Sequence, residues 1–294
     1  MKRLAIMLCV AASAVCANAK ILRVSNVNGS TAPYSSVAAA LEAANEDDVI
    51  MVDASPDSYG DIEINKKVML QGPGYWLIEN GIHQEGFKTA EFGIIDITAA
   101  GAKVSSVSAH KVNLKADGCV LTRCMSNVGV GIASGVKGAV IHQNIVGGIG
   151  GGTDPRPTNI QITNNIIQTE INNISALADS EIKYNTFKYI LSFWYVDGCV
   201  FENNLGVSGT DKDNSFVDNM EKNWYTGGDY SVRIDTDYKR LDATCSTAHG
   251  AFAGEDPYVI SGIASGPYIE DITVPVSVEQ GNDMKVTLKI GKSR

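Results

Sequence analysis

The chain has 294 residues, with 24 Lys and Arg against 33 Asp and Glu, a formal net charge of −9, and 44% apolar residues. That charge balance argues against nucleic acid or an anionic membrane as the partner. The apolar content excludes a disordered chain, and no Cys-x-x-Cys or Cys/His spacing indicates a metal.

The first nineteen residues read as a secretory signal peptide. Lys2 and Arg3 precede the apolar run Leu4–Val15, and Ala17-Asn18-Ala19 supplies a small-x-small cleavage site. The run is shorter than the ~20 residues a membrane span needs. Val15 before Cys16 is a poor match to lipoprotein processing, so cleavage is expected after Ala19, giving an exported protein, periplasmic, cell-surface or secreted. Losing Lys2 and Arg3 leaves 22 basic against 33 acidic residues, a net charge of −11.

Ile21–Val24 reads as an edge strand. Val37, Ala40, Leu41 and Ala44 then form a helical stripe with Ser35 or Ser36 as N-cap. Strands follow at Val49–Val52, Ile62–Ile64 and Val68–Leu70.

From Gly118 to Gly206 one pattern recurs: an aliphatic residue, two of any kind, Asn or Cys, one more residue, then usually an apolar one. It reads Leu121–Cys124–Ser126, Ile141–Asn144–Val146, Ile162–Asn165–Ile167, Ile182–Asn185–Phe187 and Val200–Asn203–Leu205, in steps of 20, 21, 20 and 18 residues. A period near twenty with room only for short strands predicts a β-solenoid. The first and last columns are the expected inward faces. The column Thr122, His142, Thr163, Lys183 and Phe201 is expected outward. Cys124, Asn144, Asn165, Asn185 and Asn203 are read as a structural ladder, because Asn tolerates a left-handed corner and its amides can bond up the stack. In this register Cys119 faces inward and Cys199 outward. Of the four cysteines outside the leader, several are expected to be buried free thiols, with Cys245 the fourth. Gly147–Gly152 with the following Thr153–Pro157 is expected to be a flexible loop.

Two stretches carry a resemblance. Tyr34–Ala44, Val49–Val52 and Val68-Met69-Leu70-Gln71-Gly72-Pro73-Gly74 resemble the N-terminal cap and first coils of right-handed parallel β-helix proteins of the pectate-lyase-like superfamily. Gly250–Gly262 resembles a C-terminal element of secreted Bacteroidetes β-helix proteins of poorly defined function. The resemblance implies an all-β, right-handed parallel β-helix over 20–250 with an N-terminal helical cap. A C-terminal β-tail element over 251–294 follows, with a hairpin expected from Ile272–Val278 and Met284–Ile290.

The enzymes of that superfamily direct attention to acids and bases. No Asp pair sits in the central rungs, and His249-Gly250 has the wrong flanks for a Gly-His-Gly site. The catalytic candidates are Arg123, His142 and Lys183, beside Glu181 and Glu202, and Asp235 with Asp237. The last two lie ~6.6 Å apart if Val232–Tyr238 is a strand, although a solvated β-face alternates charge in the same way. No cofactor is indicated; Asp47, Asp48, Asp211 and Asp213 read first as solvated turns and second as Ca²⁺ ligands. Aromatic residues crowd the last rungs, and Tyr189, Trp194, Trp224 and Tyr225 are the candidates for an exposed sugar-binding strip. The expectation is an exported, non-catalytic protein binding glycan or another surface ligand on the lateral solenoid face. The alternative is a lyase or hydrolase acting on an acidic polysaccharide.

Overall fold

The computed structural model describes residues 19–77, 89–169, 174–187, 193–205, 217–218, 249–259, 261–264, 266–273 and 286–293. In chain order the elements are β1 (Ile21–Val24), α1 (Val37–Ala43), β2 (Val49–Val52), β3 (Ile62–Ile64), β4 (Met69–Gln71), β5 (Glu91–Ile97), β6 (Lys103–Ser105), β7 (Ser108–Leu114), β8 (Val120–Thr122), β9 (Met125–Ile132) and β10 (Val140–His142). They continue with β11 (Ile145–Gly151), β12 (Gln161–Thr163), β13 (Ile166–Ile167), β14 (Ile174–Ser175), β15 (Glu181–Lys183), β16 (Thr186–Phe187), β17 (Phe193–Trp194), β18 (Cys199–Glu202), β19 (Val217–Asp218), β20 (Gly266–Thr273) and β21 (Thr287–Ser293).

The strands form a parallel β-solenoid. One sheet of ten strands runs β1-β2-β4-β6-β8-β10-β12-β15-β18-β19. A second runs β16-β13-β11-β9-β7-β5-β3, with β14 and β17 added beside β11. Each rung places one strand in the first sheet, turns a corner, and enters the second. The interior is built by alternation: in the first sheet an aliphatic row runs in register from Leu22 and Ile50 through Leu121, Ile141, Ile162 and Ile182 to Phe201. Every member is buried. Full burial of such a side chain contributes about 1.5–3 kcal/mol, and stacking repeats the gain at each rung.

The last rung corrects the expected register. Ile182 pairs with Phe201, so Phe201 is fully buried and Val200 takes the partly exposed position. The rung is one residue longer between ladder positions than the repeat suggested. Cys199 therefore falls in the same inward column as Cys119, and both are buried. Cys119, Cys124 and Cys199 are free thiols, and burial pushes Cys124 up to about 12 and Cys199 to about 11. Cys245 lies outside the described residues, as do residues 1–18, where the sequence reads as a leader, and Tyr189, Trp224, Tyr225, Asp235 and Asp237.

Three further boundaries are settled. Ser36 is the N-cap of α1, its Oγ accepting from the Ala39 N–H at 3.2 Å, and Val37, Ala40 and Leu41 are the helix's buried face. Gly147–Gly151, expected in a loop, belong to β11, and Gly148–Gly151 pair with β9. The terminal hairpin is antiparallel but pairs Gly266–Thr273 with Thr287–Ser293, earlier and later respectively than expected. Among the described residues no helix is long and apolar enough to cross a membrane.

Candidate ligand-binding face

Two surfaces compete for the role of site: the corner between the sheets and the outward face of the second sheet. The corner is organised by asparagines. The Asn144 N–H and its amide both donate to Asn165 Oδ1, at 2.9 and 3.0 Å, and Asn165 donates in the same way to Asn185 Oδ1. The Cys124 N–H enters at one end, donating to Asn144 Oδ1 at 2.8 Å. At the other end Asn185 donates to Asn204 Oδ1, not to Asn203. Asn203 has φ +56°, the conformation also held by Arg123, Gln143, Asn164 and Tyr184. The left-handed residue is thus the one before the ladder position, and the Asn203-Asn204 pair mirrors Asn164-Asn165. An alignment that puts Asn203 in the ladder takes the wrong member of the pair.

The left-handed residues send their side chains away from the stack, where residues 249–259 and 261–263 lie as a strap. Running back along the corner, it meets them nearly one by one. The Gly250 N–H donates to Asn203 O at 2.8 Å. The Asn164 amide donates to Ala251 O and Ala253 O, and the Gln143 amide to Asp256 Oδ1 and Pro257 O. Arg123 donates from Nε to Gln143 Oε1 and from Nη1 to Ile263 O, both at 2.7 Å. Beneath the strap Tyr75, Ile145, Ile166, Ala251 and Tyr258 form a second apolar cluster. Gly262 is required there: a Cβ would lie 2.8 Å from Arg123 O and closer still to the Tyr75 ring, and its φ is +57°.

This placement decides what the catalytic candidates touch. Arg123 is 3% exposed beneath the strap, where burial lowers its pKa and the charge of Asp256 opposes that shift. His142 uses both ring nitrogens, Nδ1 with Thr163 Oγ1 at 2.7 Å and Nε2 with Asp256 Oδ2 at 2.9 Å, and so ties the first sheet to the strap. Lys183 stands in the same outward row, between Glu181 at 3.3 Å and Glu202 at 3.7 Å. Among the described residues no three His, Cys, Asp or Glu side chains gather as a metal site.

The second sheet offers a different surface. Its registers align Glu63, Asp96, Asn113, Gly131, Gly150, Ser175 and Trp194 in one outward row. From Asp96 to Trp194 are five strand spacings, about 24 Å. Asp96 accepts from Lys115 at 2.6 Å and from the Asn113 amide at 2.8 Å. The Lys115 bond is the main cause holding its carboxyl below the ordinary range. The middle of the row has a glycine floor, an open depression of about 380 Å³ bordered by Lys111, Val128 and Thr169. At the far end Trp194 and Tyr195 are 56% and 50% exposed. Their ring centroids are 5.6 Å apart, and Arg156 lies 4.2 Å over the Tyr195 ring while bonding Asp197 at 3.2 Å.

A β-bulge shapes the floor. Asn127 and Val128 together stand opposite one residue of each neighbouring strand, so the register shifts on both sides of β9. Bulges re-aim backbone and side chains in this way. Inside, Ser126 closes the gap: its Oγ donates to Gly129 O at 2.8 Å and accepts from the Gly129 N–H at 3.3 Å. This accounts for a serine in an inward column otherwise filled by Val146, Ile167 and Phe187. Gly129 has φ +129°, and a Cβ there would strike the backbone of Gly148.

Fold and surface together define an all-β parallel solenoid with a glycine-floored outward row ending at an aromatic pair. Comparison with protein-family models, with curated proteins and with solved structures returns no match.

Proposed function

We propose that this chain is an exported, non-catalytic protein that binds a glycan, or another extended surface ligand, along the outward face of the second sheet. The observation that carries this reading is the in-register row from Asp96 to Trp194. It combines a hydrogen-bonding end, a floor without side chains, and an exposed indole. Sugar rings suit such a surface, because aromatic faces take their C–H faces while polar groups meet the hydroxyls. The leader sequence supports export. In the same reading α1 covers the first open edge of the stack, as terminal units of solenoids must. A glycan array probed with the parent chain and with Trp194→Ala tests the proposal. Binding by the parent that Trp194→Ala loses supports it; a parent that binds nothing, or a variant that binds equally well, overturns it.

A further inference from the structure

The start of β1 carries an observation that the binding face does not use. The Lys20 main-chain nitrogen lies 2.7 Å from Asp48 Oδ1, and the Asn45 N–H donates to Asp48 Oδ2 at 2.8 Å. Asp48 is 2% exposed. Among the described residues no Lys, Arg or His side chain pairs with it; the nearby pairs Lys67–Asp47 and Arg23–Asp53 belong to other carboxylates, and Lys66 is committed to the Glu42 and Ala44 carbonyls. Desolvation of this carboxylate is outweighed by the two N–H groups, with the charge of Lys20 a smaller contribution, and a full opposite charge at the Lys20 nitrogen would add to that hold.

The sheet fixes the position of Lys20. The Val49 N–H donates to Lys20 O at 2.8 Å, and Ile21 pairs with Val49. The nitrogen therefore faces Asp48 whatever precedes it. The sequence places the cleavage site of the leader between Ala19 and Lys20.

We propose that cleavage after Ala19 completes this site by turning the Lys20 nitrogen into an α-ammonium that forms an internal ion pair with Asp48. This rests on the export reading of the leader. The step is peptide hydrolysis by an endopeptidase. Water adds its hydroxyl to the Ala19 carbonyl carbon, the C–N bond breaks, and the Lys20 nitrogen takes up protons to become –NH₃⁺, since an α-amine is mostly protonated at neutral pH. An N–H···O⁻ contact charged on the acceptor alone becomes one between two opposite charges and is strengthened accordingly. The added stabilisation from the ion pair exists only after processing, and only when the new terminus is Lys20.

Three measurements test this. The intact mass of the chain recovered after export is expected to begin at Lys20; another first residue overturns the processing site. Independently, a chain beginning at Lys20 is compared with one beginning at Ala19, each with and without Asp48→Asn. The Lys20 chain is expected to melt higher, and Asp48→Asn to lower its melting temperature more than that of the Ala19 chain. Because Asp48→Asn can impair folding, acetylation of the α-amine by an N-hydroxysuccinimide ester is read on the two unsubstituted chains. It is expected about tenfold slower at Lys20, the effect of one unit of raised amine pKa. Equal acetylation rates and equal melting temperatures overturn the ion pair even where the mass begins at Lys20.

Discussion

The hydroxyls of Tyr75 and Tyr258 lie 2.7 Å apart in a buried contact between residues 183 positions apart in the chain. Tyr75 follows β4, early in the stack, and Tyr258 sits on the strap, whose other end bonds Asn203 just after β18. Solenoid stability ordinarily depends on neighbouring repeats alone. Here the strap adds a connection that, from the Arg123 corner to the Asn203 corner alone, spans five rungs. Burial raises both phenol pKa values, so the pair remains a neutral hydrogen bond.

Replacing one member of that pair should be worse than replacing both. Tyr258→Phe strands the Tyr75 hydroxyl, at a cost of about 1–3 kcal/mol. Adding Tyr75→Phe removes the stranded group and should restore part of the loss. Urea unfolding of the two single variants and the double variant checks this, and additive losses would contradict it.

The ladder gives a contrast between adjacent residues. Asn165→Ala removes the acceptor of the Asn144 N–H and amide and the donor to Ile141 O, an expected loss of about 1–3 kcal/mol. Asn204→Ala should cost more than Asn203→Ala, because Asn204 supplies the ladder oxygen to Asn185. Asn203→Gly should be nearly neutral, since glycine accepts φ +56°. Melting temperatures of the four variants decide the matter.

Ser126→Val would restore the apolar pattern of its column and still destabilise the chain. It leaves Gly129 N–H and O without their partner at the bulge, about 1–3 kcal/mol. A variant as stable as the parent would show that the bulge does not need the hydroxyl.

Asp48 gives a pH signature. The N–H groups of Lys20 and Asn45 hold its carboxyl below the ordinary value, with the Lys20 bond the larger cause. A depressed folded-state pKa contributes stability above the unfolded value, about 3.9, that is lost as pH falls through the folded one. Asp48→Asn should therefore flatten the decline of melting temperature below about pH 4, and an unchanged acid limb would contradict the assignment.

Much of the solenoid was legible because its rungs repeat. Leu121, Ile141, Ile162 and Ile182 recur at near-constant spacing, and inward side chains must be apolar. The last rung was misread because Asn203-Asn204 offers two candidates at a position where Asn164-Asn165 had already shown that the second is used. The strap left a weaker signal. Ile145-Val146 and Ile166-Ile167 are consecutive apolar residues at a corner, which means that both faces are covered, but nothing local names the cover, Ala251 and Tyr258, far downstream in the chain. The outward row was illegible for a related reason: Asp96, Gly131, Gly150 and Trp194 meet only through registers set by other residues, and the bulge at Asn127-Val128 shifts those registers. Of the aromatic candidates, Trp194 alone lies among the described residues.

The most direct test of the binding face is titration calorimetry with an oligosaccharide series of increasing length, built on the glycan preferred in the array. If the ligand lies along the row, affinity should rise with length until the chain covers about 24 Å, and Trp194→Ala should weaken binding at least about tenfold, 1.4 kcal/mol. Affinity independent of both length and Trp194 would contradict the account.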